Sequence, residues 1–221
     1  MPGPLSIIPD STEVGAFENG AFGDGALESG TFESGTFENS TLDAGALAAL
    51  AARTFPDACP DWMRQEDIED FIAENLSRSC FERWLADPEV RVFVARNPES
   101  PAPGGYVGYA AVLHGVHADE GPPAWRARRT AYLSKLYVDR DQQGSGLAAT
   151  LIRTAIEAAR DDGCTGLWLG VNGENGRARA FYAKSGLTVM GQREFTVGDV
   201  ACTDDVFGID LETSPNHSTA T

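Results

Sequence analysis

"DRDQQGSGLAATLI", residues 139–152, sets Gly144, Gly146 and Ala148 between a polar, glutamine-containing run and a stretch of Ala, Leu and Ile. Small residues at such a junction let a backbone approach a ligand closely. The N–H groups of a turn that opens a helix attract an anion. The stretch therefore reads as a phosphate-binding loop, and three kinds can be tested. A P-loop needs GxxxxGK[ST], and no lysine follows these glycines. A dinucleotide fingerprint needs GxGxxG at the first helix of a doubly wound sheet. "GSGLAA" matches it loosely, with Ala149 in the third position, but it stands late in the chain, behind a hairpin. The third register starts at Gln143 and runs Gln143, Gly144, Ser145, Gly146, Leu147, Ala148, a Q-x-x-G-x-A pattern.

The surroundings decide between registers. Upstream, "AYLSKLYVD" (131–139) is rich in apolar and aromatic residues and reads as a strand. Before it, "VRVFVARN" (90–97) and "YVGYAAVLHGV" (106–116) flank the turn "ESPAPGG" and form an antiparallel hairpin. "HADEGPPAWRARRT" (117–130) is a loop. Three helices come earlier still, in "STLDAGALAALAARTF" (40–55), "MRQEDIEDFIAENLS" (63–77) and "CFERWLAD" (80–87). Ser40, Thr41 or Asp43 caps the first. Downstream, Leu147, Leu151, Ala155, Ala158 and Ala159 make one face of a long helix that ends at Gly163. "TGLWLGVN" is a short buried strand, "NGRARAFYAKSG" a helix, and "LTVMGQREFTVGD" and "DDVFGIDL" two closing antiparallel strands. The expected fold is a mixed, mostly antiparallel α/β sheet with a late β–α–β unit.

Residues 15–39 repeat "GAFEN GAFGD GALES GTFES GTFEN", a five-residue period that suits neither helix nor strand. So few units cannot stack into a solenoid core. Residues 1–34 are therefore expected to be an acidic low-complexity extension, with Thr36 to Ser40 as a first strand. The domain is expected over 35–212, and 213–221 as a polar tail. The chain has 221 residues, 42% hydrophobic, and a formal net charge of −16. Residues 1–44 hold eight acids and no base. This charge argues against nucleic acid, whose phosphates are bound by Lys and Arg. It favours a cationic substrate through long-range attraction. No apolar run is long enough for a membrane span and no secretory leader is visible, so a cytoplasmic protein with no membrane partner is expected. Four well-separated cysteines read as free thiols.

The Q-x-x-G-x-A register resembles the GNAT N-acetyltransferase superfamily, which carries [R/Q]-x-x-G-x-[G/A] between its fourth strand and third helix. "LSKLYVD" resembles the family's fourth strand. Asn175, Ala178, Phe181, Tyr182, Lys184, Gly186 and Leu187 match its "N…A…FY.K.GF" helix. "TLDAGALAALAARTF" resembles the entry into its first helix, and the closing hairpin resembles that of bacterial polyamine-type members. The resemblance covers about residues 36–212. It implies a sheet with a central splay between the fourth and fifth strands and acetyl-CoA as co-substrate, with no metal. It implies direct transfer to an amine, and it is compatible with a homodimer.

The same resemblance implies roles. The backbone of Leu136, Tyr137 and Val138 would pair with the pantetheine arm, one of its N–H groups facing the oxyanion. Gln143, Gly144, Ser145, Gly146, Leu147 and Ala148 would hold the pyrophosphate. Gln143 stands where the family often has arginine. Tyr182 would be the general acid that protonates the leaving thiolate, or a core tyrosine. Asn175 would hold a cofactor amide, cap its helix, or both. Lys184 would reach a CoA phosphate or only solvent, and Lys135 would line the cleft or face solvent. The general base is unassigned, with Glu174, Asp139, Glu66, Asp67 and Asp70 as candidates. His114 and His117, near Asp119 and Glu120, read as a loop or strand end rather than a metal site. The acceptor expected is a small-molecule amine, polyamine-like or otherwise cationic. Alternatives are a protein N-terminus or lysine, or a catalytically silent acyl-CoA-binding regulatory module.

Overall fold

The computed structural model describes residues 33–35, 39–59, 62–114, 121–125, 128–197 and 200–212. Most of the five-residue repeats, His117 with Asp119 and Glu120, and the polar tail lie outside the described residues. Seven strands form one sheet: β1 (Glu33–Gly35), β2 (Val90–Arg96), β3 (Tyr106–His114), β4 (Thr130–Val138), β5 (Gly166–Asn172), β6 (Thr188–Val197) and β7 (Val200–Asp210). Their spatial order is β1-β2-β3-β4-β5-β7-β6. β4 and β5 are parallel, and the other neighbouring pairs are antiparallel. The first strand among the described residues is Glu33–Gly35; of the segment expected as a strand, Thr36 to Ser40, the end falls in a turn of 3-10 helix, Asn39–Thr41, and 36–38 lie outside the described residues.

On one face lie α1 (Ala44–Thr54), α2 (Gln65–Asn75) and α3 (Arg78–Ala86). Asp43 is the cap of α1, its Oδ1 accepting from the N–H groups of Gly45 at 2.7 Å and Ala46 at 3.1 Å. Leu47, Leu50, Phe55 and Phe81 bury this face against Val92, Tyr109 and Tyr137. The other face carries α4 (Leu147–Asp161) and α5 (Gly176–Lys184). α4 buries Leu147, Ala148, Leu151, Ile152, Ala155, Ile156 and Ala159, while Ala158 stands at the margin of that stripe. Each large apolar side chain buried there contributes roughly 2 kcal/mol.

β4 is buried along its whole length. Ala111 pairs with Lys135 and Val112 with Leu133, so Ser134 is an extra residue, a β-bulge. The bulge changes the parity of the strand. Ala131, Leu133, Leu136 and Val138 all face α4 and α5, although a regular strand would send Leu133 and Leu136 to opposite faces. Tyr137 faces α1. Lys135 is 1% exposed, its Nζ 5.8 Å from the Trp84 ring of α3. It is therefore a core cation rather than a solvent-facing lysine. Beyond the helices on that side, Trp125, Tyr132, Trp168 and Val206 form a small cluster over β5 and β7.

His114 ends β3 with 3% exposure. Its Nδ1 lies 3.3 Å from Asp162 and 3.7 Å from the Cys164 thiol. Burial pushes its imidazole below the ordinary value, outweighing the nearby Asp162 carboxylate. The sign of the linkage follows: an unfolded histidine binds a proton near pH 6.5, and the folded one does so only at lower pH. The stability contributed is complete above about pH 6.5 and is lost as the pH falls below it. Urea midpoints compared at about pH 7.5 and pH 5.5 are expected to fall more for the wild type than for His114→Gln. Equal falls would refute the assignment.

Candidate active site

β4 and β5 are paired at three positions, Thr130–Gly166, Ala131–Leu167 and Tyr132–Trp168. They then part. From Leu133 onward β4 keeps only its pairing with β3, and from Leu169 onward β5 keeps only its pairing with β7. The result is a fork in the centre of the sheet. Its closed end is the Tyr132–Trp168 rung, whose rings lie 4.3 Å apart. The Asp139 N–H donates to the Val107 carbonyl at 2.8 Å, toward β3. Backbone polar groups alternate along a strand, so the N–H groups of Leu136 and Val138 face the fork. Of the three residues whose backbone the sequence singles out, Leu136, Tyr137 and Val138, the middle one turns its N–H group toward β3 instead.

The fork opens toward the loop that follows β4. Gly144 and Gly146 adopt φ of 80° and 82°, and a Cβ at either would meet nothing within 4 Å. Glycine is required there by the left-handed backbone and not by crowding. Among the described residues, the N–H groups of Gly144, Gly146, Ala148 and Ala149 have no intramolecular acceptor. The Ser145 hydroxyl donates to the Gln142 carbonyl at 2.6 Å, and Gln143 is partly buried beside it. Behind this cluster of donors runs the 15-residue α4, whose dipole is positive at this end. The arrangement suits an anion with several oxygens. Two ion pairs brace the loop: Arg53 of α1 with Asp139 at 2.7 Å, and Arg140 with Asp57.

α5 follows β5 on the other arm. Asn175 caps it, accepting from the Ala178 N–H at 3.0 Å. One of the roles expected for Asn175 is thus realised within the chain itself. Tyr182 lies on the buried side of α5, 1% exposed, with its ring 5.2 Å from Phe181 and 6.0 Å from Phe207. Burial raises its phenol well above the ordinary value, and Tyr132 raises it further. A phenol so placed stays protonated at neutral pH. Lys184 is exposed in the last turn of the same helix.

The opposite face of the fork holds a group that no motif points to. Arg193 of β6 donates from Nε at 3.0 Å and from Nη2 at 2.8 Å to Oδ2 of Asp204 on β7, a carboxylate with no exposure. Arg193 is also hydrogen-bonded to the Tyr132 side chain. The guanidinium lies directly over β5. A Cβ on Gly170 would stand 2.5 Å from its Nη2 and 2.9 Å from Oδ2 of Asp204. The sequence carries one signal of this, an isolated glycine inside the strand "GLWLGVN", which marks a close approach. On the α5 side, the neighbouring Asp205 pairs with Arg179 at 2.6 Å.

Most candidate bases stand apart from the fork or are engaged. Asp139 is held by Arg53. Glu66 and Asp67 pair with Arg64 on the outer side of α2, where Asp70 is exposed. Glu174 is exposed. A cleft of about 680 Å³ between Asn39–Ala44 and α3 includes none of the fork residues. Among the described residues no cluster of His, Cys, Asp and Glu could hold a metal ion.

The chain matches the acetyltransferase (GNAT) family over residues 51–187. It is 40% identical over 155 residues to an uncharacterised N-acetyltransferase of Mycobacterium bovis, covering 70% of this chain and 89% of that one. A second relative, an uncharacterised N-acetyltransferase of Lactobacillus delbrueckii, is 26% identical over 157 residues, covering 71% and 85%. In fold the chain is similar to the PaiA N-acetyltransferase of Thermoplasma acidophilum, solved in complex with coenzyme A, with a TM-score of 0.60 at 18% identity over 81% of this chain and 99% of that one. It is also similar to an N-acetyltransferase of Staphylococcus aureus, with a TM-score of 0.59 at 15% identity over 83% and 99%. The forked sheet, the glycine loop and the matched sequence together make this chain an N-acetyltransferase of the GNAT family.

Proposed function

We propose that the protein moves the acetyl group of acetyl-CoA to a primary amine of a small cationic molecule, in the cytoplasm. The observation that carries this reading is continuity. The open edge of β4, with the Leu136 and Val138 N–H groups facing the fork, leads straight into the free N–H groups at Gly144, Gly146, Ala148 and Ala149. A pyrophosphate fits the second set and a pantetheine arm the first. Bound there, acetyl-CoA supplies an activated thioester carbonyl at the fork. Tyr182, buried and held protonated, is the group that gives a proton to the leaving sulfur. The acidity of the chain draws a cationic acceptor. Asp204 neutralises Arg193, so the acceptor side does not repel an ammonium. Asn175 acts as a helix cap and orients the start of α5.

Three outcomes are expected. With acetyl-CoA and a panel of small primary amines, the protein releases CoA thiol, fastest with diamines; tight binding of acetyl-CoA with no turnover on any amine would favour a silent binding module. Gly146→Val forces a branched side chain into the left-handed region, at about 1–2 kcal/mol, and raises KM for acetyl-CoA at least about tenfold. An unchanged KM would remove this loop from the site. Tyr182→Phe lowers kcat about 100-fold with little change in KM for acetyl-CoA. Since the Tyr182 phenol lies above its ordinary range, wild-type kcat loses no activity to its ionisation below about pH 10.

A further inference from the structure

On β5 every second residue, Gly166, Trp168 and Gly170, faces away from α4 and α5, while Leu167, Leu169 and Val171 face them. Each of the three meets a different group. Gly166 lies under the Trp125 ring, Trp168 under the backbone of Gly121, and Gly170 under Arg193. The segment 121–125, between β3 and β4, thus crosses the closed end of the fork. It does so on the face that carries the Arg193–Asp204 pair, the face proposed for the acceptor.

The two ends of the segment are held differently. At one end the Trp125 ring rests on two glycines: a Cβ on Gly166 would stand 2.7 Å from it, and a Cβ on Gly208 2.9 Å. The Arg128 guanidinium lies 4.8 Å over the ring and pairs with Asp210 at 3.0 Å. The Trp125 N–H donates to the Pro122 carbonyl at 2.7 Å, and Pro122 and Pro123 stiffen the turn between them. At the other end Gly121 lies against the indole edge, where a Cβ would stand 3.1 Å from Nε1 of Trp168 and 3.2 Å from Cε2. Trp168 has no exposure, and among the described residues its Nε1–H has no acceptor. Gly121 therefore shuts water away from a donor without giving it an oxygen. A buried donor left in that state is costly, and the cost falls on the closed position of the segment alone.

We propose that the segment 121–125 is a lid on the acceptor side of the fork: anchored by Trp125, it lifts at Gly121 to let the amine in. This rests on the acetyl-transfer reading above. Lifted, it gives the Trp168 N–H to water. It also uncovers a shelf made by the Tyr132 and Trp168 rings, 4.3 Å apart, at the last rung of β4 with β5. The amine enters along that shelf toward the thioester. Acetyl-CoA has its own way in, along the open edge of β4 and the N–H groups that open α4, and does not pass the lid. The lid therefore acts on the amine alone. Where only a fraction of the protein is lifted, the apparent affinity for the amine is reduced by that fraction.

The test is hydrogen exchange of the indole N–H groups, followed by NMR on the full chain. The chain has four tryptophans, and the Trp168 signal is the one lost in Trp168→Phe. It is expected to exchange at least about tenfold faster than the slowest backbone N–H groups of β5. Gly121→Ala sets a methyl group against the indole, holds the lid off it, and speeds that exchange further. In kinetics Gly121→Ala lowers the KM for the amine at least about threefold and leaves the Kd of acetyl-CoA unchanged. Trp125→Ala, which loses the anchor, moves both readouts in the same direction. A Trp168 N–H that exchanges no faster than the slowest N–H groups of β5 overturns the lid. So does a KM for the amine that is unchanged or raised in Gly121→Ala. A wild type that transfers no acetyl group to any amine overturns the acetyl-transfer reading and, with it, the admission of an amine by the lid; exchange at Trp168 then still shows whether the segment lifts.

Discussion

The pairing of β4 with β5 stops after three rungs, and the site is built on that stop. In an unbroken sheet each strand uses both edges, and a fork leaves two edges with unmet N–H and C=O groups in the middle of a core. Such groups are costly unless a partner arrives. Each arm finds other support: β4 pairs with β3 up to Val138, and β5 with β7 up to Asn172. β4 is backed by α4 on one side and α1 on the other. The sheet therefore tolerates the opening, and its unmet groups are left facing the fork.

The two helices that follow the arms turn the opening into a site. α4 begins where β4 ends, so its dipole and free N–H groups stand at the mouth. α5 begins where β5 ends, and its cap at Asn175 sets the helix so that Tyr182 comes down onto the core under the fork. A cluster of free N–H groups, an open strand edge and a protonated phenol are thus brought to one part of the sheet by the path of the backbone. Arg53, which reaches from α1 to Asp139, ties the remaining layer to the same loop.

Much of this was legible in the chain because it rests on local rules. The Asp43 cap, the apolar stripe of α4, the β2–β3 hairpin and the glycines of "QGSGLA" each follow from short-range periodicity or backbone demands. Three features were not legible for physical reasons. The strand Glu33–Gly35 was not legible because a three-residue edge strand needs only a few rungs with β2, and a five-residue repeat shows no two-residue alternation to mark it. The bulge at Ser134 is invisible because "AYLSKLYV" is apolar enough for either parity. Tyr132, Arg193 and Asp204 meet only because β7 inserts between β5 and β6, an order that no local pattern encodes. The acids on α2 have favourable types and unfavourable positions, which periodicity alone could not separate.

The buried Arg193–Asp204 pair also bears on why the site has this form. Taking two charges out of water costs several kcal/mol per ion, and the pair's attraction does little more than offset that cost. An apolar pair at the same strand positions would serve stability as well or better. It would also not need Gly170, and glycine inside a strand costs about 0.5–1 kcal/mol relative to alanine. A pair that adds little to stability, on a glycine that subtracts from it, is hard to explain by folding alone. Arg193 also reaches the Tyr132 side chain at the closed end of the fork. Asp204 fixes its direction, and Gly170 gives it a path across the strand.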